Sequence, residues 1–159
     1  KRLSAEDFRL QLKGGCAIVH TSELDSFAPG DDAETRLVAW LEREKDECYT
    51  SAVVVAQLAY WVRTKDGRAR EALHVWLTKL IDSLHGRIHG FNVSIAQVWA
   101  DQEHELTRLG QRMPVEDSYI AATARRYNLT IVTGNDKDFR RPGLKVFNPF
   151  KELQKIVAK

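Results

Sequence analysis

EDSYIAATARRYNLTIVTGNDKDF, residues 116–139, carries a helix, a strand and a turn in direct succession. Its first half reads as a helix opened by Pro114, with acids near its start, where the helix dipole favours them. Ala121, Ala122 and Ala124 keep its surface small, which suits close packing on a sheet. LTIVT (129–133) then reads as a short, apolar, β-branched strand, and TGNDKDF is turn chemistry. A helix handed straight to a buried strand is a unit of an α/β protein.

The same unit recurs outward from there. CAIV (16–19), ECYTS (47–51), GRIHGF (86–91) and LKVFNP (144–149) read as short strands. A helix begins near Ser51, and ETRLVAWLEREK (34–45) and VSIAQVWADQEHELTRLG (93–110) are two more. The helix REALHVWLTKLIDSL (70–84) carries Leu73, Trp76, Leu77, Leu80, Ile81 and Leu84 on one face. LSAEDFRLQLKGG (3–15) reads as a short N-terminal helix capped by Ser4 and ended by Gly14 and Gly15. No Asn-Gly hairpin signal joins any two strands. Short apolar strands separated by helices imply a parallel sheet covered on both faces.

The 159 residues suit one domain, and a hydrophobic content of 43% supplies its core. No apolar run is long enough to span a membrane and no signal segment is visible after Lys1, so a cytoplasmic location is expected. Cys16 and Cys48 stand in no CxxC or zinc-type spacing, which fits buried free thiols. The net charge of +2 selects no partner, but Arg63, Lys65, Arg68 and Arg70 cluster, as do Arg125, Arg126, Lys137, Arg140 and Arg141. Such clusters are either solvated faces or the footprint of a nucleic acid.

Ligands of open α/β sheets bind at the carboxyl ends of the strands. After CAIV come His20, Thr21, Ser22 and Glu23; early in the helix after ECYTS comes Gln57; after LTIVT come Gly134, Asn135, Asp136 and Asp138. Asp117 stands in the first turn of its helix. Singly, each has an ordinary explanation: acids partner helix dipoles, and Asn and Asp populate turns.

Their order does more. RLVAWLE, YTSAVVVAQLAY, GRIHGF, EDSYIAATARRYNLTIVTGNDKDF and VFNPF together resemble the PIN domain, in particular its VapC/FitB-type toxin ribonucleases. The resemblance implies a three-layer α/β/α domain with a central parallel sheet over residues 16–150; residues 1–15 lie outside the pattern as a helical extension and 151–159 as a tail. It also implies a homodimer that cleaves RNA with Mg²⁺ or Mn²⁺ and is blocked by an antitoxin protein. Clustered acids suit that chemistry because hard divalent cations take oxygen ligands and relieve the repulsion between carboxylates.

By this resemblance Asp117 matches the third acid of the family, and Asn135, with Asp138 close behind, matches the fourth position. Two positions depart. His20, in VHTS, stands where the family has its first aspartate, and Gln57, in AQL, stands where it has a glutamate. The spacing to VAWL favours His20; a shifted register, in which LDS matches, would place Asp25 there instead. An amide keeps the shape of glutamate but supplies neither charge nor a base. The expected catalytic set is therefore Asp117, Asn135, Asp138, His20 and Gln57, with Asp117 and Asp138 on the metal and Arg63, Arg68, Arg125 and Arg126 on RNA. Two functions stay open: a metal-dependent endoribonuclease, or a degenerate PIN domain that binds RNA or an antitoxin without cleaving. A phosphoacceptor receiver would also place aspartates at strand ends but lacks the SYIAATA…LTIVT order.

Overall fold

The computed structural model of the chain describes residues 17–19, 46, 48–148 and 151. Five parallel strands form one sheet: β1 (Ala17–Val19), β2 (Cys48–Ser51), β3 (Ile88–His89), β4 (Thr130–Val132) and β5 (Lys145–Phe147). Their order across the sheet is β3-β2-β1-β4-β5. Ile18 pairs with Tyr49 on one side and with Ile131 on the other, and Ile131 pairs with Val146. The parallel α/β fold expected from the sequence is the fold observed.

The helices start where the sequence offers caps. In α1 (Ala52–Arg63) the Ser51 hydroxyl accepts from the Val54 amide at 3.2 Å. In α3 (Val93–Arg108) the Asn92 carboxamide accepts from Ile95 at 3.1 Å. Each satisfies a backbone donor that the first helical turn leaves without an intrahelical partner. Between them, α2 (Gly67–Ser83) starts three residues before the expected Arg70. The apolar stripe begins only at Leu73, so periodicity could not see the polar first turn. On that stripe Leu77 is buried, while Leu73, Trp76, Leu80 and Ile81 pack part-buried against the core.

The EDSYIAATARRYNLTIVT stretch folds as helix α4 (Val115–Tyr127), a reversal, and β4. Asn128 makes the reversal in the left-handed region, at φ 56°, which a short polar side chain tolerates better than most. Its carboxamide oxygen accepts from Lys145 Nζ at 2.6 Å, joining the reversal to β5. TGNDKDF departs from expectation in one respect: its last four residues form a single helical turn, α5 (Asp136–Phe139), that drives Phe139 into full burial.

Successive strand residues point to opposite faces, yet Thr130, Ile131, Val132 and Thr133 are all buried. Helices therefore cover both faces of the sheet at β4. One face of α1 (Val54, Leu58, Val62) and the Ile120, Ala121 and Ala124 positions of α4 belong to the same core as Ile131 and Val132. At the far side Tyr49, His89 and Tyr127 stack, with ring centroids 5.1 and 4.0 Å apart, and secure the two-residue strand β3. Cys48 is a buried free thiol, as expected. The N-terminal helix over 3–15, the helix over 34–45, Cys16, His20, Glu23, Asp25 and residues 152–159 lie outside the described residues.

Ile131 is fully buried in β4, an interior strand of the sheet. Ile131→Ala should lower the unfolding free energy by about 2–5 kcal/mol, read as a fall in urea midpoint at unchanged m-value.

Candidate functional site

The strand order fixes where a site can form. From β1 the chain moves to β2 and β3 on one side, then returns to β4 on the other side of β1. The strand order therefore reverses between β1 and β4, and in open α/β sheets ligands bind in the crevice outside the carboxyl ends of the strands at such a switch point. Thr133, Gly134 and Asn135 follow β4 at that edge. Ser51 is both the last residue of β2 and the cap of α1, so α1 also begins at this edge. Only Asn128 and Leu129 separate α4 from β4, so α4 runs back against the strand and its N-terminus points to the same edge.

Asp117 is the third residue of α4 and is buried. Three contacts fix the turn that carries it. Ser118 Oγ donates to the Val115 carbonyl at 2.6 Å and accepts from Trp99 Nε1 at 2.8 Å. Gln102, fully buried in α3, donates to the Ser118 carbonyl at 3.0 Å. Trp99 and Gln102 are not expected from the sequence, because a tryptophan and a glutamine within a helix carry no local signal of a tertiary hydrogen bond.

Asn135 and Asp138 come together directly: the Asn135 carboxamide donates to Asp138 Oδ2, and the Asp138 amide donates to the Asn135 carbonyl at 3.3 Å. Thr133 holds the start of the turn, its amide donating to the Phe147 carbonyl at 3.0 Å and its hydroxyl accepting from the Asn135 amide at 3.1 Å. Gln57 is half-buried in α1, one position before the buried Leu58.

Asp136 was not among the expected site residues, yet it is the most heavily engaged acid of the turn. It is 3% exposed. Its Oδ1 accepts from Asn148 Nδ2 at 2.9 Å, its Oδ2 accepts from Arg140 Nε at 2.7 Å, and Lys151 Nζ lies within 2.9 Å of both oxygens. The Lys151 ammonium above all, then Asn148 and Arg140, hold this carboxyl well below the ordinary carboxylate range, against burial, which acts the other way. Lys151, the first residue of the expected tail, thus packs on the domain.

The expected site residues that are described all offer oxygens: the Asp117 and Asp138 carboxylates and the Gln57 and Asn135 carboxamide oxygens. That chemistry fits a hard divalent cation. Among the described residues no three His, Cys, Asp or Glu side chains gather into a metal cage, so a third charged ligand would have to come from outside them. Of the expected RNA-binding arginines, Arg63 and Arg68 are exposed. Arg126 is exposed, donates to Ser94 Oγ at 3.2 Å and lies over the Tyr127 ring. Arg125 is engaged within the fold, paired with Glu105 at 3.2 Å and donating to the Pro142 carbonyl.

Comparison with known proteins agrees with this fold. The PIN domain family matches residues 19–144. Toxin FitB of Neisseria gonorrhoeae is 33% identical over 120 residues, covering 74% of this chain and 86% of that protein. VapC ribonuclease Y4jK of Sinorhizobium fredii is 26% identical over 123 residues, covering 76% and 88%. The structure of FitAB bound to an IR36 DNA fragment superposes with a TM-score of 0.76 at 27% identity, covering 84% of this chain and 95% of that one.

The ionised state of Asp136 has a consequence for acid stability. Its folded pKa lies below the unfolded value of 3.8, so its contribution is fully present above that value and is lost as pH falls through the folded pKa. Asp136→Asn should lower stability at pH 7 by about 1–3 kcal/mol and should flatten the decline below about pH 4. Urea midpoints of the two proteins between pH 7 and pH 2.5 test this.

Proposed function

This chain belongs to the PIN domain family as a toxin of the FitB and VapC kind, and we propose that it is a divalent-metal-dependent endoribonuclease held in check by an antitoxin protein. The observation that carries this is the direct Asn135–Asp138 pair at the carboxyl end of β4, at the switch-point edge towards which the first turn of α4 brings Asp117. A Mg²⁺ or Mn²⁺ ion there would supply Lewis acidity at a phosphate and lower the pKa of a bound water. Asp117 and Asp138 would hold the ion, Asn135 orients Asp138, and Gln57 could orient a water without acting as a base. His20, or Asp25 in the shifted register, completes the ligand set. Exposed Arg63, Arg68 and Arg126 attract the RNA backbone, and unpaired loops are the substrate that such a crevice admits. The protein works as a homodimer in the cytoplasm.

One observation favours a second function. Gln57 is uncharged where the family carries a glutamate, so the crevice attracts a cation less strongly than a full set of acids would. A protein disarmed in this way would retain antitoxin or RNA binding without cleavage.

Calorimetric titration with Mn²⁺ and Mg²⁺ separates the two, with RNA cleavage assayed in parallel. Changes to residues that merely support a ligand cost about 10–100-fold in metal affinity, so Asp117→Ala should cost more than about a hundredfold. Restoring charge with His20→Asp and Gln57→Glu together should tighten Mg²⁺ binding. Absence of binding in the parent protein at millimolar metal would overturn the nuclease and leave the binding protein.

A further inference from the structure

The Asn135–Asp138 pair stands on a turn that β5 and the segment after it grip from behind. Asn148, at the end of β5 and 8% exposed, uses both ends of its carboxamide. Its Nδ2 donates to the Gly134 carbonyl and to Asp136 Oδ1, both at 2.9 Å, and its Oδ1 accepts from the Lys151 amide at 3.2 Å. A single side chain therefore holds the residues immediately before and immediately after Asn135. Asp136 anchors that grip. Oδ1 is taken by Asn148 and Lys151, and Oδ2 by Arg140 and Lys151.

Two features separate this arrangement from simple packing. With both oxygens saturated and its charge matched by two cations, Asp136 is a poor ligand for a further cation, so its place beside Asn135 needs another explanation. A buried ion pair is also a weak source of stability compared with apolar residues of equal volume, and its best-supported benefit is a fixed geometry. The geometry fixed here is that of Gly134 and Asp136, and with them the direction of the Asn135 carboxamide and the start of α5, which carries Asp138.

We propose that Asp136 and Asn148 are positioning residues: by tying the Gly134 carbonyl before Asn135 to the Asp136 carboxylate after it, they hold Asn135 and Asp138 in the arrangement that binds a divalent cation. The metal-binding half of this inference rests on the function proposed above; the positioning half does not.

The test is Mn²⁺ calorimetry on full-length Asp136→Ala, Asn148→Ala and Asp136→Asn proteins. It is combined with the side-chain amide resonance of Asn135 in a ¹H–¹⁵N spectrum and with the thermal midpoint. In the parent protein the Asn135 signal should be displaced from the free-carboxamide position by its contact with Asp138. In both alanine variants it should return towards that position while backbone amides stay dispersed, and Mn²⁺ affinity should fall about 10–100-fold. Asp136→Asn still accepts from Asn148 and should recover most of the affinity. If Asp136→Ala does not fold, Asn148→Ala decides by the same two readouts. Lower thermal midpoints with an unchanged Asn135 signal and unchanged affinity would overturn the proposal and leave a fold anchor. If the parent protein binds no Mn²⁺, the metal site falls, and the Asn135 signal alone decides the positioning.

Discussion

Four consecutive residues, Thr130 to Thr133, are withdrawn from solvent although neighbours along a strand face opposite ways. Burial on both faces is the constraint from which the rest follows. It requires a helix layer on each side of β4, and parallel strands supply one because each crossover lays a helix on the sheet. The backbone first turns towards solvent after the strand at Gly134 and Asn135. The segment that leaves the core there is the one that carries Asn135 and Asp138.

The site is accordingly an edge property, assembled from the ends of elements that share a direction. Ser51 closes β2 and caps α1, the short reversal at Asn128 turns α4 against β4, and Thr133 passes β4 into its turn. The two acids of the turn after β4 are treated differently. Asp136 is neutralised internally by Lys151 and Arg140. Among the described residues, Asp138 receives a neutral amide from Asn135, which does not cancel its charge. Gln57, an amide, adds no charge.

Much of this was legible in the sequence because it depends on local patterns. The period of Leu73, Trp76, Leu77, Leu80 and Ile81 gave α2 its buried side, and Ser51 marked a helix start. The order of Asp117, LTIVT and NDKDF placed the chain in its family before any coordinates. The polar first turn of α2 was missed because nothing apolar marks it. The single helical turn at Asp136–Phe139 was missed because turn residues dominate its composition; it is the burial of Phe139 that shapes it.

The parallel α/β class, the family and the identity of the residues that follow each strand can be read along the chain, since hydrophobic period, caps and motif order are properties of neighbours. What those residues do to one another is set in three dimensions. Asp136 and Asp138 are both aspartates of one turn, two positions apart, and no local rule tells them apart. One is buried under a lysine fifteen residues away and an asparagine twelve residues away, whereas the other is left to an amide within its own turn. Long-range hydrogen bonds and burial make that distinction, and they exist only once β5 has been laid beside β4.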